Sequence, residues 1–132
     1  MKLGCPFCSL PASRVAGENE HALWTLDAYP ISPGHSLVVP KRHIASFFEA
    51  TANERAAILA LIDEAKERTS AEHRPDGYNI GINDGEAAGQ TVAHLHVHLI
   101  PRYAGDVADP RGGLRWVIPE RADYWSNRDP ER

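Results

Sequence analysis

Three histidines alternate with aliphatic residues in His94-Leu95-His96-Val97-His98, and Leu99, Ile100 and Pro101 follow. In an extended strand this period of two sends the three imidazoles to one face and Leu95, Val97 and Leu99 to the other. Neighbouring imidazoles on that face stand roughly 6.5–7 Å apart, and His94 and His98 about 13 Å apart. Neutral imidazole, with an unperturbed pKa of about 6.5, is a nucleophile near neutral pH without a base to activate it. Imidazole is also a metal ligand, but a metal about 2.1 Å from each nitrogen cannot take both outer histidines of a straight strand. The row therefore has to divide its labour, and any metal claims at most two neighbours.

Two further stretches bear on chemistry. Cys5-Pro6-Phe7-Cys8 contains the chain's two cysteines. Two cysteines cannot build a disulfide scaffold of any size, and a redox pair would sit between a strand and a helix of a βαβ unit, which the N-terminus does not offer. The pair reads as half of a zinc site that needs two more ligands. Asn83 to Thr91 is a loop carrying Gly85 and Gly89. Glycines let backbone N–H groups approach a phosphate closely, and this loop delivers the chain directly into the histidine strand.

The elements that must position these residues follow from periodicity and punctuation. Ala22–Leu26 and Ser36–Pro40 read as strands separated by a turn at Asp27 to His35. Thr51-Ala52-Asn53-Glu54 has the form of a capping box, after which Ala57, Ile58, Leu61, Ile62 and Ala65 recur at helical spacing. That helix is expected to end before Pro75, and Ser46 to Ala50 to add a short helical turn ahead of it. Tyr78–Ile82 reads as a strand and Thr91–Pro101 as the histidine strand. Gly112–Pro119 is expected to hold a short strand, and Glu120–Arg132 to be a polar tail carrying Tyr124 and Trp125. Strands crossed by one long helix give an α+β layout with a mostly antiparallel sheet.

Composition narrows the function classes. With 132 residues, 42% hydrophobic and 24% charged, the chain is expected to form one domain over residues 1–132. A net charge of −4 argues against broad nucleic-acid binding. No apolar run approaches a membrane span and no signal-peptide pattern opens the chain, so a cytoplasmic location is expected and a membrane partner is not.

The triple histidine, with Gly89-Gln90-Thr91-Val92-Ala93 before it and Pro33-Gly34-His35 upstream, resembles the histidine-triad (HIT) superfamily. Residues 94–100 match the family's alternation of histidine and apolar residues at every position, and the resemblance runs over about residues 5 to 102, leaving 103–132 as an extension. It implies a HIT-like fold with a five-stranded, mostly antiparallel sheet, one long helix and one short one, and a homodimer. Trp116, Tyr124 and Trp125 are then candidates for the interface or for a tail over the neighbouring site.

The resemblance also implies an activity. His96 would attack the α-phosphorus of a nucleotide and form a nucleotidyl-histidine, with His98 bonding the phosphate or helping the leaving group. His35 would neutralise the non-bridging oxygens. Asp27 matches the ribose-binding position, and Asn83, Gly89, Gln90 and Thr91 fall on the phosphate and leaving-group side. Bacterial zinc-containing members complete the cysteine pair with a histidine after the second strand and the first triad histidine, here His43 and His94. Such a closed Zn2+ site would be structural. Any Mg2+ would be carried in by a polyphosphate substrate.

Within the family, Ala88 to Val92 and Pro101-Arg102 look like the dinucleoside-polyphosphate hydrolases. Asn83, where that branch usually has glutamine, looks like the nucleoside phosphoramidases. The transferase branch typically has glutamine at the third triad position, which His98 argues against. An Ap4A-like hydrolase is therefore the leading expectation, with a nucleoside phosphoramidase or a nucleotide-binding module of little turnover as alternatives. A zinc hydrolase with a catalytic metal on two triad histidines is a further alternative. His21 and His73 take no part, and His73 suits a helix C-terminus.

Overall fold

The aliphatic and β-branched runs of the first 102 residues assemble into one antiparallel sheet. The structure, a computed structural model, describes residues 2–126. They fall into two units, Met1–Arg102 and Tyr103–Arg132. In the first, the strands are β1 (Gly17–Glu18), β2 (Ala22–Leu26), β3 (Ser36–Pro40), β4 (Gly77–Ile82) and β5 (Val97–Arg102). Their order is β1-β2-β3-β5-β4, and each neighbouring pair is antiparallel.

The long helix α1 spans Ala52–His73 and starts at a complete capping box, in which the Thr51 hydroxyl accepts from Glu54 N–H while the Glu54 carboxylate accepts from Thr51 N–H. It stops at Arg74, which takes a left-handed conformation (φ 50°) ahead of Pro75. Ile58, Leu61 and Ala65 of α1 are buried against Trp24, Val38, Leu95, Val97 and Leu99. A single turn of 3-10 helix, Phe47–Glu49, precedes α1 as the short helix.

Register decides which side chains share a face. Trp24, Val38 and Val97 are cross-strand partners, and all three belong to the core under α1. One residue along, Thr25, Leu37, His98 and Gly81 form the next transverse row. Because successive side chains alternate, this second row points away from the helix.

Two expectations are corrected. The histidine run is not one strand, since β5 begins at Val97, a bend covers Val92 to His94, and Leu95 and His96 lie in irregular chain between them. Leu95 explains why. Its N–H bonds to Ile44 O at 2.7 Å, outside the sheet, so the chain turns before it joins the ladder. The short strand expected in 112–119 is instead a 3-10 helix, Gly113–Val117, followed by a helical turn α2 at Pro119–Ala122. Gly112 and Gly113 both have positive φ and start the turn, and Pro119 opens α2 where its missing N–H costs nothing. The fifth strand is β1, too short to leave a period in the sequence. In the second unit, Arg115 bonds to the carbonyls of Ala122 and Arg121, and its guanidinium lies over Tyr124. Of the expected tail, residues 127–132 lie outside the described residues. No helix among the described residues is long and apolar enough to cross a membrane.

Glu54 also receives Arg42 Nε and Nη2 at 3.0 and 2.8 Å. The Arg42 hydrogen bonds, foremost, hold its carboxyl at about 2 against an ordinary 4.5. A depressed carboxyl contributes stability above its unfolded pKa and loses it as the folded group protonates. Glu54→Gln is expected to cost about 2 kcal/mol near neutral pH. In thermal melts the gap between the two proteins should close as pH falls from about 4.5 towards 2. A gap independent of pH would refute the ionic role.

Candidate active site and adjoining metal centre

Four side chains converge where the N-terminal segment meets the bend before β5. Cys5 Sγ lies 3.4 Å from His94 Nδ1, and Cys8 Sγ lies 3.3 Å from His43 Nδ1 and 3.6 Å from His94 Nδ1. The two Nδ1 atoms are 3.1 Å apart, and all four ligand atoms fall within 4.8 Å of one another. Neighbouring ligands of tetrahedral zinc, at ordinary Zn–N and Zn–S lengths, stand about 3.4–3.8 Å apart. The set therefore fits a metal ion in both donor chemistry and spacing. His94 is already turned to serve as a ligand, because its Nε2–H donates to Pro40 O at 2.8 Å and leaves the lone pair on Nδ1, towards the sulfurs. Burial, helped by His43 and His96, lowers the His94 pKa although Pro40 O pulls it up, so the ring is neutral as a ligand must be.

His96 is turned the opposite way. Its Nδ1–H donates to His94 O at 2.8 Å, which puts the lone pair on Nε2. His98, one step along β5, has its ring centroid 5.2 Å from that of His96. A hydrogen-bond chain fixes its proton as well. Ile31 N–H donates to His35 Nδ1 at 3.2 Å, so neutral His35 carries its proton on Nε2. His35 Nε2 lies 3.0 Å from His98 Nδ1, which accepts, and neutral His98 then holds its proton on Nε2. Burial lowers both pKa values; nearby Asp27 opposes this at both, while His96 and His35 add to it at His98. The outcome is a lone pair on His96 and an N–H on His98, side by side.

Both rings line a cavity of about 390 Å³. On one side of the imidazoles it is walled by Asn83, Gly89 and Thr91, and on the other by Leu37, Thr25 and Asp27. Asp27 Oδ1 accepts Tyr29 N–H at 2.8 Å, and Oδ2 lies 3.4 Å from His35 Nε2. The structure thus brings together His96, His98, Asp27, Asn83, Gly89 and Thr91.

Two of the expected substrate residues stand elsewhere. His35 is buried behind His98 with both ring nitrogens engaged, so it reaches the cavity only through His98. Gln90 braces the loop, since its amide donates to Ala45 O and Val92 O and accepts Gly85 N–H. Gly89, at φ +92°, closes that loop in a conformation side chains rarely adopt.

Phe7, Leu10, Arg14, Thr25 and Leu37 also line the cavity, and sequence reasoning missed them. Thr25 and Leu37 enter through the cross-strand row that ends at His98, which needs the register. Phe7 sits between the two cysteines, and nothing in that motif marks it as a cavity residue. A second cluster with ligand-type groups, Asp27, His35 and His98, also comes together. Its facing nitrogens are already committed to the hydrogen-bond chain. His94 and His96 are held by opposite ring nitrogens, which argues against a catalytic metal shared by these two triad histidines.

Comparison with known proteins places the chain. The HIT domain family matches residues 11–105, and the chain belongs to this family. An uncharacterised HIT-like protein of Mycoplasma genitalium is 37% identical over 103 residues, covering 75% of this chain and 73% of that protein. AP-4-A phosphorylase of Mycobacterium tuberculosis is 42% identical over 107 residues, or 76% of this chain but only 55% of the phosphorylase. The crystal structure of a Zn-bound histidine triad family protein from Mycobacterium smegmatis has a TM-score of 0.70 at 37% identity, covering 80% of each chain.

The buried His35–His98 pair implies a titration. Both groups are depressed below 6.5, so the unfolded chain binds more protons there and stability is expected to rise with pH through the window below 6.5. In an imidazole NMR titration His98 should remain neutral below 6.5, and His35→Ala should move it back towards 6.5. A His98 that titrates identically in both proteins would refute the coupling.

Proposed function

We propose that this chain is a nucleotidyl hydrolase that works through a covalent nucleotidyl-histidine at His96. The observation that carries the reading is the pairing of a lone pair on His96 Nε2 with an N–H on His98 Nε2 at the wall of one cavity. In the first step His96 Nε2 attacks the α-phosphorus, the bond to the leaving oxygen breaks, and that oxygen takes the His98 Nε2 proton. In the second step water attacks phosphorus, its proton returns to His98, and the P–N bond breaks to release the nucleoside monophosphate. His35 supports His98 from behind and holds its Nδ1 as an acceptor. Asp27 accepts the ribose hydroxyls, and Asn83, Gly89 and Thr91 take the leaving-group side.

A dinucleoside polyphosphate of the diadenosine tetraphosphate type is the substrate class we favour, supported by the likeness to AP-4-A phosphorylase. Asn83 on the cavity wall keeps a nucleoside phosphoramidate as the second reading. The Cys5, Cys8, His43 and His94 set is assigned to one structural zinc, supported by its spacing and by the Zn-bound relative. When bound, zinc would tie the N-terminal segment to the loop after β3 and to the bend before β5. Two cysteines used as metal ligands and not as a disulfide suit a reducing compartment, so the cytoplasm is part of the proposal, as is a homodimer.

His96→Ala is expected to abolish turnover of diadenosine tetraphosphate and of adenosine phosphoramidate. Losing the nucleophile removes the covalent path, while AMP binding should survive within about tenfold. Mass spectrometry of quenched wild-type protein should trap the adenylylated histidine. A variant keeping a tenth of normal activity would move the nucleophile elsewhere, and ADP formed in the presence of inorganic phosphate would make phosphate the acceptor instead of water.

Native mass spectrometry of protein purified without chelator is expected to show two chains carrying two zinc ions. Cys8→Ser should lose zinc and melt earlier, whereas His98→Ala should retain it. Zinc kept by a Cys5→Ser/Cys8→Ser protein but lost from His96→Ala would overturn the assignment and revive the catalytic metal.

A further inference from the structure

Phe7 is claimed neither by the metal set nor by the phosphate chemistry, yet it touches both. Its ring centroid lies 5.5 Å from that of His94, edge-on, and 5.2 Å from that of His96. The same side chain, with Pro6 and Leu10, forms part of the cavity wall. Its backbone is held between Cys5 and Cys8, and Cys8 N–H also points at Cys5 Sγ.

How that backbone is anchored matters. The backbone hydrogen bonds of this segment are internal, from Cys5 N–H to Lys2 O, Ser9 N–H to Cys5 O, and Leu10 N–H to Phe7 O. Among the described residues, every hydrogen bond from residues 2–10 to the rest of the chain runs through the two sulfurs, to His43 and His94. The hydrogen bonds that fix Phe7 relative to the rest of the chain are therefore those of the two sulfurs. A neutral thiol–imidazole contact is a weak tether, whereas a ligated thiolate is a strong one.

We infer that Phe7 is a positioning residue that couples the metal centre to the nucleotide cavity, holding the His96 ring and one cavity wall in place while Cys5 and Cys8 are ligated. The inference rests on the nucleotide reading of the cavity and on the metal reading of the cysteine set. Its physical content is a coupling between two sites, and such coupling is reciprocal. If zinc strengthens nucleotide binding through Phe7, nucleotide strengthens zinc binding by the same factor.

The test uses the full chain with AMP as probe, titrated calorimetrically into zinc-loaded and chelator-stripped protein. Wild type, Phe7→Ala and Phe7→Leu are compared. Stripping zinc is expected to weaken AMP binding roughly tenfold in wild type, by less in Phe7→Leu, and hardly at all in Phe7→Ala. In competition with a chromogenic chelator, saturating AMP should raise the zinc affinity of wild type by the same factor and leave that of Phe7→Ala unchanged. Zinc-loaded Phe7→Leu, which still fills the wall, should show a larger fall in kcat than rise in KM, since the aromatic ring packed at a tilt against His96 is gone. A residue that only lines the wall would shift KM alone.

Equal zinc dependence of AMP binding in wild type and Phe7→Ala would overturn the inference, including the case in which stripping simply unfolds both. Wild-type AMP binding that ignores zinc would overturn it while leaving the nucleotide reading intact. No AMP binding to zinc-loaded wild type would overturn both. If Phe7→Ala fails to fold, the Phe7→Leu cycle decides, with an unreduced zinc effect as the overturning result.

Discussion

One hydrogen bond, from His96 Nδ1–H to the carbonyl of His94, organises both halves of the functional region. It forms where the chain has just bent at Val92 to His94 and has not yet entered the sheet. The bend turns the His94 ring towards the cysteines while His96 is held by its neighbour's backbone. Had the strand begun at Thr91, three imidazoles would have stood evenly on one face with no backbone acceptor to select a tautomer. The bend thus sends the His94 ring to the cysteine cluster and leaves the His96 ring to the cavity.

Burying several imidazoles is costly unless each ring nitrogen finds a partner. Here nearly every one does. His94 uses Nε2 on Pro40 O and Nδ1 towards the sulfurs, and His35 uses Nδ1 on Ile31 N–H and Nε2 on His98. His96 and His98 each keep a single nitrogen unspent, and both rings line the cavity. Burial also depresses His35 and His98, which keeps their contact intact, because a proton on His98 Nδ1 would set two donors face to face.

The scaffold supports this arrangement at little cost. One transverse row, Trp24–Val38–Val97, anchors the sheet to α1, so the adjacent row, Thr25–Leu37–His98, is free to face a ligand. Loop 83–91 is fastened to residues 45–47 by its own Gln90, which donates to Ala45 O, and by Asp84, whose carboxylate accepts Ser46 Oγ–H and Phe47 N–H. Gln90 and Asp84 thus carry the loop's anchoring, while Asn83 and Thr91 line the cavity.

Local signals in the sequence determined much of this protein. The capping box and the stripe from Ala57 to Ala65 specify α1, because helix start and amphipathic period are properties of adjacent residues. Strands β2 and β3 were legible for the same reason, and so were the cysteine pair and the histidine alternation that marked the site. Tertiary structure decided the rest. The break before Val97 depends on Ile44, far upstream in the chain but adjacent in space, offering its carbonyl to Leu95. Strand β1 exists because β2 offers an open edge, and His35 meets His98 because the fold brings their ring nitrogens within hydrogen-bond distance. Phe7 becomes a wall of the cavity only when the cysteines fold over the bend. Periodicity along a chain reports which face a residue occupies; which distant partner it meets there is set by register and packing, and neither is a local property.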